Sequence, residues 1–125
     1  MPGTRAIQIP RFGKPEVLVE RDIPLKAPGP GEVHLRIEAV GVNFADLLQR
    51  AGLYGRVPER PFSPGFEVAG EVAKIGEGVE GWAPGDRVVA LSRYGGYVQD
   101  LILPTDQLFP YPDDLSPAEA AAVPV

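Results

Sequence analysis

The chain contains no cysteine and one histidine, His34. A disulfide framework, a thiol nucleophile and a thiolate metal site are therefore excluded, and so is any zinc motif built on two histidines of this chain. No stretch approaches the roughly 20 consecutive apolar residues that a spanning helix needs, and no apolar signal core opens the sequence. A cytoplasmic, soluble protein without membrane insertion is the expectation. Positive charge is also scarce. Twelve Lys and Arg stand against 17 Asp and Glu, for a formal net charge of −5 and a pI near 4.8. With no basic stripe along the sequence, a nucleic-acid partner or an anionic membrane surface is not expected.

What is present is turn chemistry. Fifteen glycines and 15 prolines in 125 residues divide the chain into short pieces, while a hydrophobic fraction of 44% supplies the core of one ordinary domain. Ala6, Ile7 and Ile9 read as a strand before the Gly13–Lys14–Pro15 break. Val17, Leu18 and Val19 form a second apolar run, closed by Pro24 and the Pro28–Gly31 turn. Val33, Leu35, Ile37 and Ala39 then alternate with His34, Arg36 and Glu38. This period of two predicts a half-buried strand with His34 on its solvated face.

A helix is predicted over Phe44–Ala51, with Asn43 as cap, Asp46 three residues on, and Gly52 as the stop. Phe44, Leu47, Leu48 and Ala51 share one face, and Val42 with Leu47 matches a hydrophobic staple. Asp46 and Arg50, four apart, predict a local ion pair. After Gly65 the strand pattern resumes through Phe66–Ile75, Arg87–Leu91 and Gly96–Leu103, with Trp82 at a turn that closes one end of a small barrel. Ser116–Pro117 starts a last helix, expected to have little to pack against. The whole predicts a mainly β fold, a distorted barrel or sandwich with one or two short helices.

Gly76–Glu77–Gly78–Val79–Glu80–Gly81 has the spacing of a dinucleotide-binding fingerprint. That motif works because a helix starts there and aims its N–H groups at the pyrophosphate. Here Trp82–Ala83–Pro84–Gly85–Asp86 follows, which is a turn, and Glu77 and Glu80 repel phosphate. The segment reads as a loop between strands.

Three blocks stand in order: Gly41–Val42–Asn43–Phe44–Ala45–Asp46 with Arg50, Gly52 and Tyr54; Pro64–Gly65–Phe66–Glu67–Val68–Ala69–Gly70; and Gly85–Asp86–Arg87–Val88. Together they resemble the N-terminal, GroES-like catalytic domain of the medium-chain dehydrogenase/reductase superfamily. Its zinc-free quinone oxidoreductase branch, with the vesicle amine transport protein-like members, is the most similar. The resemblance implies a GroES-like distorted β-barrel over residues 1–125. The zinc alcohol dehydrogenases have a cysteine where Asn43 stands and a histidine where Phe66 stands, so the resemblance also implies that zinc is not used.

Zinc-free relatives reduce quinones or activated double bonds with hydride from NADPH. By resemblance, Asn43 orients the nicotinamide or a carbonyl oxygen, and its role as helix cap is compatible with that. Gly52–Leu53–Tyr54 is similar to an element of the enoyl thioester reductases whose tyrosine delivers a proton or positions substrate. A phenol suits this as a donor at neutral pH, although an aromatic covering the helix end accounts for Tyr54 equally well. Cofactor contacts are implied at Asn43 and Leu48, but Leu48 cannot stack as the aromatic of mammalian-type quinone reductases does. Glu67 either faces the cleft or is an exposed strand glutamate. Gly95–Gly96–Tyr97 resembles the cleft-lining element of the family, and close backbone approach explains its glycines too.

In this superfamily a separate doubly wound domain holds the nucleotide, and too few residues follow Gly81 to build it. The expectation is a chain truncated before that domain. The function implied is the substrate-side domain of an NADPH-dependent reductase acting on a small-molecule quinone or enone, inactive alone and possible as a homodimer when whole. An enoyl thioester reductase domain is the second reading, and a free-standing GroES-like binding or assembly barrel the third.

Overall fold

The structure, a computed structural model, describes residues 2–125. Turn residues punctuate it into β1 (Gly3–Gln8), β2 (Val19–Pro24), β3 (Glu32–Val40), α1 (Phe44–Ala51), β4 (Glu67–Ile75), β5 (Arg87–Leu91), β6 (Asp100–Pro104), β7 (Leu108–Pro110) and α2 (Pro117–Ala121). β1 and β2 pair as an antiparallel ribbon, and the other strands form an antiparallel sheet in the order β6-β3-β4-β5-β7. The fold is mainly β with two short helices, as the sequence predicts. The sheets stay open, however, because β6 and β7 end the larger sheet as free edges.

Alternation along β3, β4 and β5 places Val33, Leu35, Val68, Val72, Val88 and Ala90 in the main core with Leu103 and Leu108. Trp82 and Val79 pack on that core from the turns after β4. No helix follows β4. The glycine-rich segment is a turn in which Gly78 and Gly81 hold positive φ values of 77° and 82°, in keeping with a loop reading.

The larger sheet is bent by register shifts between His34 and Leu35 and between Ile37 and Ala39. Gly70 sits opposite the second shift, and a Cβ there would run into the Arg36 carbonyl oxygen. Residues 97–99 tie the ribbon to the sheet. Ile7 N–H donates to the Tyr97 carbonyl and Gln99 N–H to that of Arg5, both at 2.9 Å, while Ile37 N–H donates to Gln99 at 2.8 Å.

Several expectations need correction. His34 is 9% exposed, not solvated: its Nε2 lies 2.8 Å from Asp100 Oδ1, and Asp100 Oδ2 accepts from Thr4 Oγ1 at 2.9 Å. Thr4 of the ribbon and Asp100 of β6 cover this one position of the polar face, while Arg36 and Glu38 on the same face stay exposed. Residues 15–17 form a 3₁₀ turn opened by Pro15, and the strand begins only at Val19. Residues 96–99 stay outside the ladder because Gly95, at φ 97°, redirects the chain before β6. β7 was not anticipated. α2 finds a full partner surface: Ala120 and Ala121 are buried against Ala69, Val89 and Tyr111. Ser116 caps it by accepting the Glu119 N–H at 3.1 Å, and the Glu119 carboxylate, accepting in return from Ser116, is held below its usual range. Among the described residues no helix is long and apolar enough to cross a membrane.

Gly70→Ala tests the bend directly. The collision is with backbone, which cannot swing aside, so a loss of about 1–3 kcal/mol is expected, the usual penalty of overpacking. A urea midpoint equal to that of the parent protein would show that the sheet yields there.

Candidate active site

α1 has the predicted bounds because its ends are specified locally. The Asp46 carboxylate accepts the Asn43 N–H at 2.9 Å, and Asn43 is extended at φ −120°, as a cap should be. At the other end Gly52 takes φ 79° and its N–H reaches the Gln49 and Leu48 carbonyls, with Leu53 N–H also on Leu48.

The face it buries is the reverse of the apolar one. Asp46 and Gln49 are 4% and 1% exposed, whereas Phe44 is 74% and Leu47 40% exposed. The cause lies in the turn before β6. Tyr97 Oη donates to Asp46 Oδ2 at 2.8 Å, and Gln49 Nε2 donates to the Arg93 carbonyl at 3.0 Å. A buried carboxylate and amide need such partners; Asp46 Oδ2 and Gln49 Nε2 have them, while Asp46 Oδ1 and Gln49 Oε1 are buried without one. The expected Asp46–Arg50 pair does not form. Arg50 Nε donates instead to the Gly13 carbonyl at 3.1 Å, and Gly13 N–H returns a bond to the Arg50 carbonyl at 2.9 Å.

The Gly95–Gly96–Tyr97 turn is placed by residues 63–65. Gly95 N–H donates to Ser63 at 2.6 Å and Tyr97 N–H to Pro64 at 2.9 Å. Gly65, at φ 118°, lies against Gly96 Cα and the Tyr97 ring, so the two glycine blocks are a matched close approach.

Asn43 faces β4. Its Nδ2 donates to Glu67 Oε1 at 3.0 Å, and Glu67 Oε2 accepts the Val125 N–H at 2.9 Å. Glu67 is 3% exposed, which overturns its reading as an exposed strand residue. Gly41 makes this possible, since a Cβ at that position would occupy the space of the Glu67 carboxylate. The role of Glu67 was not legible beforehand, because it depends on the Val40–Val68 register that brings the end of β3 beside the start of β4.

One residue earlier, Phe66 meets Tyr54. The rings stand edge to face, with centroids 5.5 Å apart at 75°, and Tyr54 remains 37% exposed. The Asn43–Glu67 and Phe66–Tyr54 contacts are thus two pairs joined through the backbone at the start of β4. Leu48 lies half-buried on α1 and offers no ring. Val42, Phe44 and Leu53, each more than 70% exposed, make the surroundings an open apolar face. None of Asn43, Phe66 and Tyr54 is a thiolate, imidazole or carboxylate donor. The chemistry available here is hydrogen bonding from a phenol and a fixed amide against an apolar surface.

Burial, and then the bond to Asp46, hold the Tyr97 hydroxyl well above the ordinary phenol range. A raised folded-state pKa means that its contribution to stability is complete below about pH 10 and is lost as pH climbs beyond it. Tyr97→Phe is expected to cost about 1.5–3 kcal/mol, because it strips a hydrogen bond from a buried carboxylate. An ultraviolet titration should also lose its latest-ionising tyrosine. Parent and variant with the same titration curve would refute the assignment.

Comparison with known proteins matches residues 29–113 to the alcohol dehydrogenase GroES-like domain. The synaptic vesicle membrane protein VAT-1 homolog of Rattus norvegicus is 48% identical over 97 residues, 78% of this chain and 24% of that protein. The quinone oxidoreductase of the same species is 36% identical over 121 residues, 95% of this chain and 37% of that one. The crystal structure of a human synaptic vesicle membrane protein VAT-1 homolog-like protein superposes with a TM-score of 0.95 at 36% identity, covering 98% of this chain and 40% of its own. The chain thus spans roughly a quarter to two fifths of the length of these relatives. It belongs to the alcohol dehydrogenase GroES-like domain family, in the branch of the medium-chain dehydrogenase/reductases that holds the quinone oxidoreductases and VAT-1 homologs.

Proposed function

We propose that this chain is the substrate-side domain of a reductase that passes hydride from NADPH to a quinone or an activated carbon–carbon double bond, without zinc. The observation that carries the reading is Tyr54. Its phenol is half-exposed, its ring is held edge-on by Phe66, and Phe66 adjoins the Glu67 that anchors Asn43. The quinone oxidoreductase among the relatives supports the same reaction class.

The residues fit one end of the cofactor only. Asn43, with its amide plane set by Glu67, suits the carboxamide of a nicotinamide, and the half-buried Leu48 offers an aliphatic edge. The glycine-rich turn after β4 carries Glu77 and Glu80 and no helix, so it does not suit the pyrophosphate. The phosphates are assigned to a further, doubly wound domain of the whole enzyme. The cofactor supplies hydride. This chain supplies a surface of Val42, Phe44 and Leu53 that sheds water from the acceptor, and Tyr54 Oη donates to the acceptor oxygen as negative charge builds there. Asn43 and Phe66 offer neither the thiolate nor the imidazole that zinc favours, so in this reading polarisation rests on hydrogen bonds.

The test is NADPH oxidation by quinones and enones in the enzyme that joins this domain to its nucleotide-binding domain, after treatment with a chelator. A requirement for added zinc would end the reading, and no turnover with either substrate class would favour a binding or assembly barrel. Tyr54→Phe keeps the ring contact and removes the donor. It should lower kcat by about 10²–10⁴-fold, the usual contribution of a positioned proton donor, with an unchanged melting temperature.

Asn43→Asp probes the neighbouring position. Asp caps a helix as well as Asn does, but here it would face Glu67 across a 3.0 Å contact. Two carboxylates at that distance oppose joint ionisation. The variant should be about 1–2 kcal/mol less stable than the parent near pH 7, with the gap closing as pH falls through the carboxylate range. Adding Glu67→Gln should restore most of the loss. If the double variant is no better than the single one, Asn43 and Glu67 are not coupled.

A further inference from the structure

Five cations that lie far apart in sequence meet at the C-terminal end of α1. Nine of the 12 Lys and Arg occur at or before Arg60. The antiparallel bridge between Ile9 and Phe62 runs the segment after Ile9 alongside the segment before Phe62. The Arg60 guanidinium accordingly lies 4.1 Å over the Phe12 ring. Phe12 also abuts Gly52, and Gly13 is doubly bonded to Arg50, so this loop seals the end of the helix. Arg60 and Arg50 are thus held at this end by Phe12 and Gly13. Arg11 and Lys14 flank those two residues in the same loop, and Arg56 stands two residues beyond Tyr54 in the segment that leads to Arg60. These five form the rim.

All but the half-buried Arg50 are exposed. Among the described residues the ion pairs are Arg5–Glu20, Lys26–Glu32, His34–Asp100 and Arg87–Asp113, and none uses a cation of this rim. The acids nearest along the chain, Glu16 and Glu59, form no salt bridge to it, and Asp46 beneath the helix is committed to Tyr97 and the Asn43 N–H. In a chain of net charge −5, a rim of unneutralised guanidinium and ammonium groups beside an exposed apolar face is a composite surface. Guanidinium forks favour phosphate oxygens, and phenylalanine faces such as Phe12 keep one arginine extended toward solvent.

We propose that this rim binds the phosphate-bearing tail of an elongated substrate whose apolar, reducible end lies against Tyr54 and Phe66. The proposal rests on the reductase reading and narrows its substrate class. A plain quinone leaves the rim unused, whereas an enoyl thioester with a phosphorylated tail engages both surfaces. The shared chemistry is a phosphate ester or diphosphate on a long flexible arm, whether the arm ends as a free nucleotide or as phosphopantetheine.

The test needs neither NADPH nor turnover. Coenzyme A and 4′-phosphopantetheine are each titrated into the isotope-labelled chain while backbone amide resonances are followed. Saturable shifts confined to residues 11–14 and 50–60, weakening with added salt, are expected with coenzyme A. The same shifts with 4′-phosphopantetheine assign the contact to the arm, and their absence assigns it to the nucleotide phosphates. Reversing Arg56 and Arg60 together to Glu should weaken binding by about tenfold or more, the scale of charge-assisted hydrogen bonds, with the rest of the spectrum unchanged. Lys74→Glu, an exposed cation on β4, should leave the affinity as it was. No saturable shift with coenzyme A, an equal loss in Lys74→Glu, or binding to phosphatidylserine vesicles in place of coenzyme A would overturn the proposal. Coenzyme A binding in a chain whose whole enzyme reduces neither quinones nor enones nor enoyl thioesters would sink the reductase reading and leave the anion site standing. Turnover of quinones alone would keep the reductase reading and overturn the proposed substrate.

Discussion

A buried carboxylate organises this domain. Asp46 receives the Asn43 N–H at the head of α1 and the Tyr97 hydroxyl from the turn before β6. A charge removed from water is tolerated only where donors replace that water. Here the two donors come from different parts of the chain and meet on one oxygen, Oδ2, which sets the rotation of α1 about its own axis, while Oδ1 stays buried without a protein partner. Gln49, one turn further on the same face, repeats the constraint through the Arg93 carbonyl. The apolar side of the helix is then directed outward. An amphipathic helix placed against a core in the ordinary sense would have buried Phe44 and Leu47, which here stay exposed.

The second constraint is spatial. Gly41 vacates the volume that the Glu67 carboxylate fills, and Glu67 in turn fixes the amide of Asn43. Gly65 and Gly96 make the same kind of allowance on the other side, where two loops approach within van der Waals distance. The glycines that bracket the functional side chains are thus required for the close approach of something else, a carboxylate in one case and backbone in the other.

Local signals were read well and long-range ones were not. The bounds of α1 and β5 follow from caps and alternation, which act over a few residues. Which face of α1 is buried depends on Tyr97 and Arg93, some fifty residues away, and nothing within the helix announces it. His34 and Glu67 are buried for the same kind of reason: their partners, Asp100 with Thr4 in one case and Asn43 with the Val125 N–H in the other, come from far along the chain. β7 escaped notice because three residues ending in Pro110 carry too little pattern to register. The basic rim forms no stripe in the sequence, since its members are drawn from two separate loops and the end of a helix.

The two free edges of the larger sheet have a bearing on how the domain behaves among its own copies. β6 ends at Pro104, and β7 is only three residues long and ends at Pro110. Proline offers no N–H to a newly arriving strand, and so short an edge gives a foreign chain little to pair with. β7 therefore offers an arriving strand almost no ladder, while at β6 the proline removes one donor of five. The same residue type that elsewhere in the chain makes the turns thus trims both borders of the open sheet.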